Sequence, residues 1–182
     1  IGRETARLAE LLGMKVHVMT RNGVNVRKDI YCIPGTGDID GKLPDRIFTE
    51  TEKEDFLKGL DFLIMAVPQT KTTTGVIGEA ELKMLQPHAF ILNPARGPLI
   101  QEQPFLQSLI NGNIAGAAVD THYYYPMPED HPLWSLPNVI MTPHISGSSA
   151  SNRFLERVWE IFIQNIERFS KGITLLNEIK EY

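Results

Sequence analysis

Arg96, Asp120 and His144 are the side chains of this sequence best suited to chemistry. Each lies within three residues of the end of a short apolar run. Arginine is a fixed cation that binds anions, and histidine gains or loses a proton near neutral pH. Taken singly, each residue also fits a structural role, as a surface ion-pair partner, a cap or a loop residue. Their shared position after three successive apolar runs predicts that they converge on one crevice.

The elements that would position these residues are short strands alternating with helices. The strands are predicted from apolar, partly β-branched runs bounded by Gly, Pro, Asp or Asn, and the helices from apolar residues three or four apart. Strands without alternating polarity, separated by helices, predict a doubly wound parallel α/β sheet covered on both faces, which binds ligands beyond the strands' carboxyl ends. The predicted strands are residues 15–19, 62–67, 89–93, 115–119 and 139–141, and the predicted helices are 3–12, 52–60, 79–85 and 103–110.

Two segments depart from this alternation. Residues 22–45 are rich in glycine and proline and lack periodicity, which predicts a long loop that is functional or disordered. Residues 151–171 carry one apolar stripe at helical spacing and end before Gly172, which predicts a long helix that docks on another surface. The length of 182 residues and the 42% hydrophobic content predict a single core.

Composition argues against several classes of partner. The net charge is -4 and the 18 lysines and arginines are scattered, so we expect no nucleic-acid partner. The apolar runs are too short to span a bilayer and the start does not resemble a signal peptide, so we expect no membrane association. Cys32 is the only cysteine, which excludes an internal disulfide and fits the cytoplasm. No metal site is expected, because four other histidines lack metal-ligand spacing and are interpreted as structural: His17, His88, His122 and His131.

A series of motifs between residues 2 and 149 has an order and spacing that resemble the D-isomer-specific 2-hydroxyacid dehydrogenases. The motifs are Ile1-Gly2-Arg3, Val67-Pro68-Gln69-Thr70 with Thr73 and Gly75-Val76-Ile77-Gly78, Asn93-Pro94-Ala95-Arg96-Gly97, Gly116-Ala117-Ala118-Val119-Asp120, and Pro132-Leu133-Trp134 through Leu136-Pro137-Asn138-Val139 to Thr142-Pro143-His144-Ile145.

The resemblance implies an oxidoreductase that transfers hydride between NAD(P)(H) and a small 2-hydroxy or 2-oxo acid. Arg96 would hold the carboxylate and carbonyl oxygen of the substrate, and His144 would exchange a proton with that oxygen. A cation and a proton donor beside an oxygen that gains negative charge lower the barrier to its reduction. The resemblance also implies a cofactor cleft lined by Gly2, Arg3, Thr20, Arg21, Val67, Pro68, Thr70, Thr73, Pro94, Ala95, Arg96, Asp120, His144 and Gly147, with Asp120 at the nicotinamide end.

Tyr125 departs from the family pattern, which has a glutamate at this position to pair with the histidine. A carboxylate stabilises imidazolium, whereas a neutral phenol can only orient the ring, so proton donation would fade at a lower pH. Tyr125 is therefore a candidate catalytic residue, and its alternative role is packing in an aromatic loop with Tyr123 and Tyr124. Formate dehydrogenases pair this histidine with a neutral amide, and their local sequence is similar to residues 130–132 and 141–147, so a formate dehydrogenase is a minor alternative.

Thr20 and Arg21 bear on cofactor choice, because they end the first predicted strand where an NAD-specific fold normally has an acidic residue. Without that carboxylate, a 2′-phosphate is not repelled, and Arg21, aided by Arg27 or Lys28, could pair with it. NADP(H) is therefore favoured over NAD(H). The alternative is an exposed arginine that leaves cofactor choice open.

The resemblance also predicts the organisation of the chain. Residues 1–150 would be a partial dinucleotide-binding domain in which Gly2 is the third glycine of the phosphate-binding loop, with the first strand and the substrate domain lying upstream. Residues 151–182 would be a connecting helix and tail that belong to the substrate domain. A homodimer is expected by analogy. The competing hypothesis is a non-catalytic NAD(P)-binding module or an inactive truncated fragment.

Overall fold

A computed structural model describes residues 1–147, 149 and 151–178 of the protein. The chain packs as two compact units, one formed by residues 1–47 with 148–182 and the other by residues 48–147. In chain order the elements are α1 (Gly2–Leu11), β1 (His17–Met19), β2 (Arg46–Phe48), α2 (Lys53–Lys58), β3 (Phe62–Ile64), α3 (Glu79–Met84), β4 (Phe90–Asn93), α4 (Glu102–Ile110), β5 (Gly116–Val119), β6 (Val139–Met141) and α5 (Phe154–Ser170).

The second unit contains a four-stranded parallel sheet in the order β3-β4-β5-β6. Alternate strand residues such as Leu63, Ile91 and Ala117 are buried, together with apolar residues of α2, α3 and α4. At positions of the opposite parity, Phe62 and Phe90 are exposed and stack with their ring centroids 5.9 Å apart. The prediction of a parallel α/β sheet flanked by helices is confirmed.

The first unit is discontinuous because the loop after β1 binds α5 and the segment that follows it. The guanidinium of Arg168 pairs with the carboxylate of Asp29, and the hydroxyl of Tyr31 bonds to Glu160. The amide of Asn177 donates to the carbonyl of Asp29 over 2.9 Å. These bonds explain why the chain forms two packed units where its length predicted one core. The predicted domain boundary near residue 150 stays a prediction.

β1 pairs with β2 in a separate two-stranded sheet. The sequence did not predict β2, because its three residues directly follow the glycine-rich loop and are too few to show a period. The predicted docking helix forms as α5, and its apolar stripe is exposed, with Phe162 at 52% and Phe169 at 78% of full exposure. Among the described residues, no helix is long and apolar enough to cross a membrane.

Candidate functional site

The strand register places the residues that the sequence predicted to be functional at one edge of the four-stranded sheet. Asn93 at the end of β4 aligns with Val119 at the end of β5, which aligns with Met141 at the end of β6. The amide of Asp120 donates to the carbonyl of Asn93 over 3.2 Å, and the amide of Thr142 donates to the carbonyl of Val119 over 3.0 Å. The segments that carry Arg96, Asp120 and His144 therefore leave adjacent parallel strands at the same end, within one compact unit.

The Arg96 loop is shaped by the side chain of Asn93, which is only 1% exposed. Its Oδ1 accepts hydrogen bonds from the amides of Ala95 and Arg96 at 3.1 and 3.2 Å, and its Nδ2 donates to the carbonyl of Arg96 at 2.8 Å. These bonds fix the backbone of residues 93–96, and Nη1 of Arg96 donates to the carbonyl of Ala95 at 2.6 Å. Arg96 is exposed and, among the described residues, no carboxylate lies within salt-bridge distance of it. An uncompensated cation of this kind can bind an anionic ligand.

Gly97 allows the Arg96 loop to lie against the backbone that follows β5. A Cβ atom at this position would lie 2.6 Å from both the carbonyl carbon and oxygen of His122, and 2.9 Å from the amide nitrogen of Tyr123. Backbone atoms cannot rotate away as a flexible side chain can. Glycine is therefore required here for close approach of the two segments.

Asp120 is a buried carboxylate that holds the His144 loop. Its Oδ1 accepts hydrogen bonds from the Thr142 hydroxyl at 2.5 Å and the Ile145 amide at 2.8 Å, and its Oδ2 accepts from the Ser146 amide at 3.0 Å and the Ser146 hydroxyl at 2.5 Å. Burial by itself would raise the pKa of Asp120, but these four hydrogen bonds outweigh it and hold the pKa well below its usual range. The carboxylate therefore fixes residues on both sides of His144.

His144 sits in an exposed turn with an unusual backbone conformation. Its φ is +59°, in the left-handed region that non-glycine residues rarely adopt, and its amide donates to the carbonyl of Thr142 over 3.0 Å. The hydroxyl of Tyr125 lies 3.2 Å from Nδ1 of His144 and accepts a hydrogen bond from the amide of His122 at 3.1 Å. With Nδ1 facing Tyr125, the other ring nitrogen, Nε2, is available to a ligand.

Four residues assigned by resemblance to the cofactor cleft form the segment after β3. The hydroxyl of Thr73 accepts a hydrogen bond from the amide of Thr70 at 2.8 Å and donates to the carbonyl of Pro68 at 2.6 Å. Val67 is 38% exposed and precedes this turn. The Thr73 hydroxyl therefore stabilises the turn of this segment by hydrogen bonds to its backbone. Gly147, which ends this unit, is exposed, and a Cβ atom there would meet nothing within 4 Å.

The remaining cofactor candidates lie in the first unit. α1 begins at Gly2, and the start of a ten-residue helix offers backbone amides suited to a phosphate group. Arg3 is committed to the neighbouring loop, because its guanidinium donates to the carbonyls of Asn25, Asp38 and Ile39. Burial and the nearby cation of Arg27 lower the pKa of Arg3.

Thr20 follows β1 and is half-buried, and Arg21 is exposed. No carboxylate stands at this strand end, and Arg27 and Lys28 are exposed cations of the same unit. Thr20 and Arg21 therefore present a hydroxyl and a cation at this strand end.

Three of the histidines interpreted as structural have identifiable partners. Nε2 of His131 lies 2.8 Å from Glu102, and Nε2 of His88 lies 2.9 Å from Asp61. Nε2 of His122 lies 3.0 Å from the carbonyl of Thr142, beside the proposed site. In the part of the chain that the structure describes, no group of three or more His, Cys, Asp or Glu residues could hold a metal ion.

Asn93, His122 and Ser146 were not selected as site residues from the sequence. Asn93 had a local signal, since an asparagine before a proline favours a side-chain-to-backbone turn. His122 and Ser146 had none, because their partners lie 20 and 26 residues away along the chain.

Comparison with known proteins gives one family for most of the chain. Residues 1–146 match the family model for the D-isomer specific 2-hydroxyacid dehydrogenase, NAD binding domain. A hydroxypyruvate reductase of Blautia hydrogenotrophica is 31% identical over 172 residues, which cover 94% of this chain and 48% of the relative.

Solved structures agree on the fold. A D-isomer specific 2-hydroxyacid dehydrogenase family protein from Aeromonas salmonicida superposes with a TM-score of 0.77 at 28% identity, covering 99% of this chain and 52% of the other. An NADPH-dependent glyoxylate/hydroxypyruvate reductase from Sinorhizobium meliloti, solved with NADP and sulfate, gives a TM-score of 0.74 at 25% identity, covering 96% of this chain and 50% of the other. The chain thus spans about half the length of these relatives.

Proposed function

Because this chain belongs to the D-isomer specific 2-hydroxyacid dehydrogenase family, we propose that it forms the nucleotide-binding and catalytic half of an NAD(P)-dependent oxidoreductase acting on small 2-oxo or 2-hydroxy acids. One arrangement carries the proposal. Among the described residues, Arg96 is exposed with no carboxylate in salt-bridge distance and follows β4, and His144, with Nε2 available, follows β6 at the same end of the sheet, with β5 between these two strands. In the solved relative from Sinorhizobium meliloti, the named activity is glyoxylate and hydroxypyruvate reduction.

Arg96 would bind the carboxylate of the substrate and polarise its carbonyl. The guanidinium has several donors in a planar fork, which match two oxygens of a 2-oxo acid at once. Negative charge builds on the carbonyl oxygen as the carbon is reduced, and a fixed cation beside it lowers the barrier. The side chain of Asn93 fixes the backbone of the loop that carries the arginine.

His144 would give a proton from Nε2 to the substrate oxygen during reduction and take it back during oxidation. Tyr125 can accept a hydrogen bond from Nδ1–H of the imidazolium while it also accepts the amide of His122, because a phenol oxygen has two lone pairs. Tyr125 thereby orients the ring without adding a negative charge. Asp120 holds the turn on either side of His144 through four hydrogen bonds.

The bound dinucleotide supplies or accepts the hydride at the substrate carbon. We propose NADP(H) as the preferred cofactor, with Arg21 paired to the 2′-phosphate and Gly2 at the helix start that faces a phosphate. The exposed arginine and the lack of a carboxylate at the end of β1 support this preference. The solved Sinorhizobium meliloti relative was crystallised with NADP.

The test is turnover by the full-length protein. We expect oxidation of NADPH in the presence of glyoxylate, hydroxypyruvate, pyruvate or a bulkier 2-oxo acid, and a much smaller rate with NADH. Binding of NADPH without turnover of any 2-oxo acid would instead favour a non-catalytic binding module, which Tyr125 in place of a carboxylate makes the second candidate. A homodimer and a cytoplasmic location remain predictions that rest on the family resemblance.

A further inference from the structure

His122 contacts two segments of the proposed catalytic arrangement, at Tyr125 and at Thr142. Its backbone amide donates to the hydroxyl of Tyr125 over 3.1 Å. Its ring nitrogen Nε2 lies 3.0 Å from the carbonyl oxygen of Thr142. One residue therefore touches the phenol that orients His144 and the first residue of the turn that presents it.

The carbonyl of Thr142 closes that turn. It accepts the amide of His144 at 3.0 Å, and His144 has a φ of +59°. A left-handed backbone at a non-glycine residue is unfavourable and persists only when its surroundings hold it. The ring of His122 donates to the same carbonyl and so fixes the direction in which the oxygen points.

The ring of His122 is poorly explained by packing alone. A carbonyl can only accept, so Nε2 carries a proton, and in the neutral ring Nδ1 is then the bare nitrogen. Nδ1 is buried and has no hydrogen-bond partner among the described residues. A buried unpaired acceptor destabilises the fold. Phenylalanine would fill a similar space without this penalty, and the carbonyl of Thr142 would still keep the amide of His144 as a partner.

We propose that His122 is a positioning residue for the reaction: its Nε2–H holds the Thr142 carbonyl, which fixes the strained turn that aims His144 at the substrate. This inference rests on the proposed function, in which His144 is the proton donor. It predicts an unusual combination of effects. Removing the ring nitrogens of His122 should leave the fold as stable as before, or more stable, but should impair catalysis.

The test compares His122→Phe, which removes the donor, with His122→Gln, whose amide can restore a donor near the position of Nε2. With NADPH and glyoxylate, we expect His122→Phe in the full-length protein to lower kcat about tenfold, the effect of one hydrogen bond of ordinary strength. KM should change little, because Arg96 binds the carboxylate. His122→Gln should recover most of kcat. His88→Gln, at an exposed histidine paired with Asp61, is the matched control and should keep wild-type kinetics.

A second measurement does not depend on turnover. Hydrogen exchange of the His144 amide should be about tenfold faster in His122→Phe and near wild type in His122→Gln, because the bonded carbonyl holds the turn closed. Wild-type kcat and exchange in His122→Phe would overturn the inference. A drop in melting temperature shared by both variants, with no recovery of kcat in His122→Gln, would also overturn it, since that pattern indicates that His122 acts through packing alone. If the wild-type protein reduces no 2-oxo acid, the proposed function fails, and the exchange rates still decide whether His122 holds the turn.

Discussion

Replacing Asp120 with asparagine tests how this carboxylate stabilises the loop that carries His144. The carboxylate is 6% exposed and receives four hydrogen bonds, two on each oxygen. In Asp120→Asn, the remaining oxygen can still accept from the Thr142 hydroxyl and the Ile145 amide. The new NH2 group, however, faces the amide of Ser146, so two donors meet and the Ser146 amide loses its acceptor.

The expected loss of unfolding free energy in Asp120→Asn follows from these contacts. One buried, unsatisfied donor costs about 1–3 kcal/mol, and hydrogen bonds to a charged acceptor are stronger than those to a neutral one by about 1 kcal/mol. We therefore expect Asp120→Asn to lower the free energy of unfolding at pH 7 by about 2–4 kcal/mol. The Ser146 hydroxyl can rotate to accept from the new amide, which is why the sum of all four bonds is not lost.

The pH dependence gives the sign of the effect. The pKa of Asp120 is lower in the folded protein than the value of about 3.9 for an unfolded aspartate. Its stabilisation is therefore fully present above about pH 5 and is lost as the pH falls through the folded pKa. The difference in unfolding free energy between wild type and Asp120→Asn should be constant from about pH 5 upward and shrink in more acidic solution.

Urea unfolding at pH 7 measures the loss of unfolding free energy in Asp120→Asn, and the same experiment at pH 3 shows whether that loss shrinks in acid. Asp130→Asn is the matched control, because Asp130 is exposed in the same unit, and it should stay within about 0.5 kcal/mol of wild type. Equal stability of Asp120→Asn and wild type at pH 7 would refute the reasoning, as would a difference that grows on acidification.

Three further changes test other parts of the site. Gly97→Ala should lower the free energy of unfolding by about 1–3 kcal/mol, because its Cβ would lie 2.6 Å from the His122 carbonyl, whereas Gly59→Ala, whose Cβ has no contact closer than 3.8 Å, should be nearly neutral in thermal unfolding. Tyr125→Glu should move the alkaline limb of the rate profile for reduction upward by about one pH unit or more, since a carboxylate favours imidazolium; an unchanged profile would separate Tyr125 from His144 in function. Arg21→Asp should reverse the preference in kcat/KM from NADPH to NADH, and a variant that still prefers NADPH would remove Arg21 from the cofactor site.

Features with a repeating local signal could be predicted from the sequence. Strand β4 and helix α4 form close to their predicted bounds, because buried runs and helical spacing depend on neighbouring residues. β2 could not be predicted, since its three residues carry no period and its pairing with β1 crosses a long loop.

The chemical detail of the site depends on contacts that sequence spacing does not reveal. The order of the strands was enough to predict that Arg96 and His144 would emerge at one edge. The four bonds of Asp120 were not predictable, because they require the backbone of residues 142–146 to fold around it. Nor was the bond from His122 to Thr142, for which a lone histidine in an aromatic loop gives no pattern.

The most direct test of the central claim is the steady-state rate of NADPH oxidation with glyoxylate or hydroxypyruvate in the full-length protein, compared with His144→Ala and Arg96→Met. We predict that His144→Ala lowers kcat by about 10²–10⁴, the usual contribution of a positioned acid or base, and that Arg96→Met both raises KM and lowers kcat, because Arg96 binds the carboxylate and stabilises the developing charge. His88→Gln should be unchanged. Wild-type turnover in His144→Ala, or no reduction of any 2-oxo acid by the wild-type protein, would contradict the account.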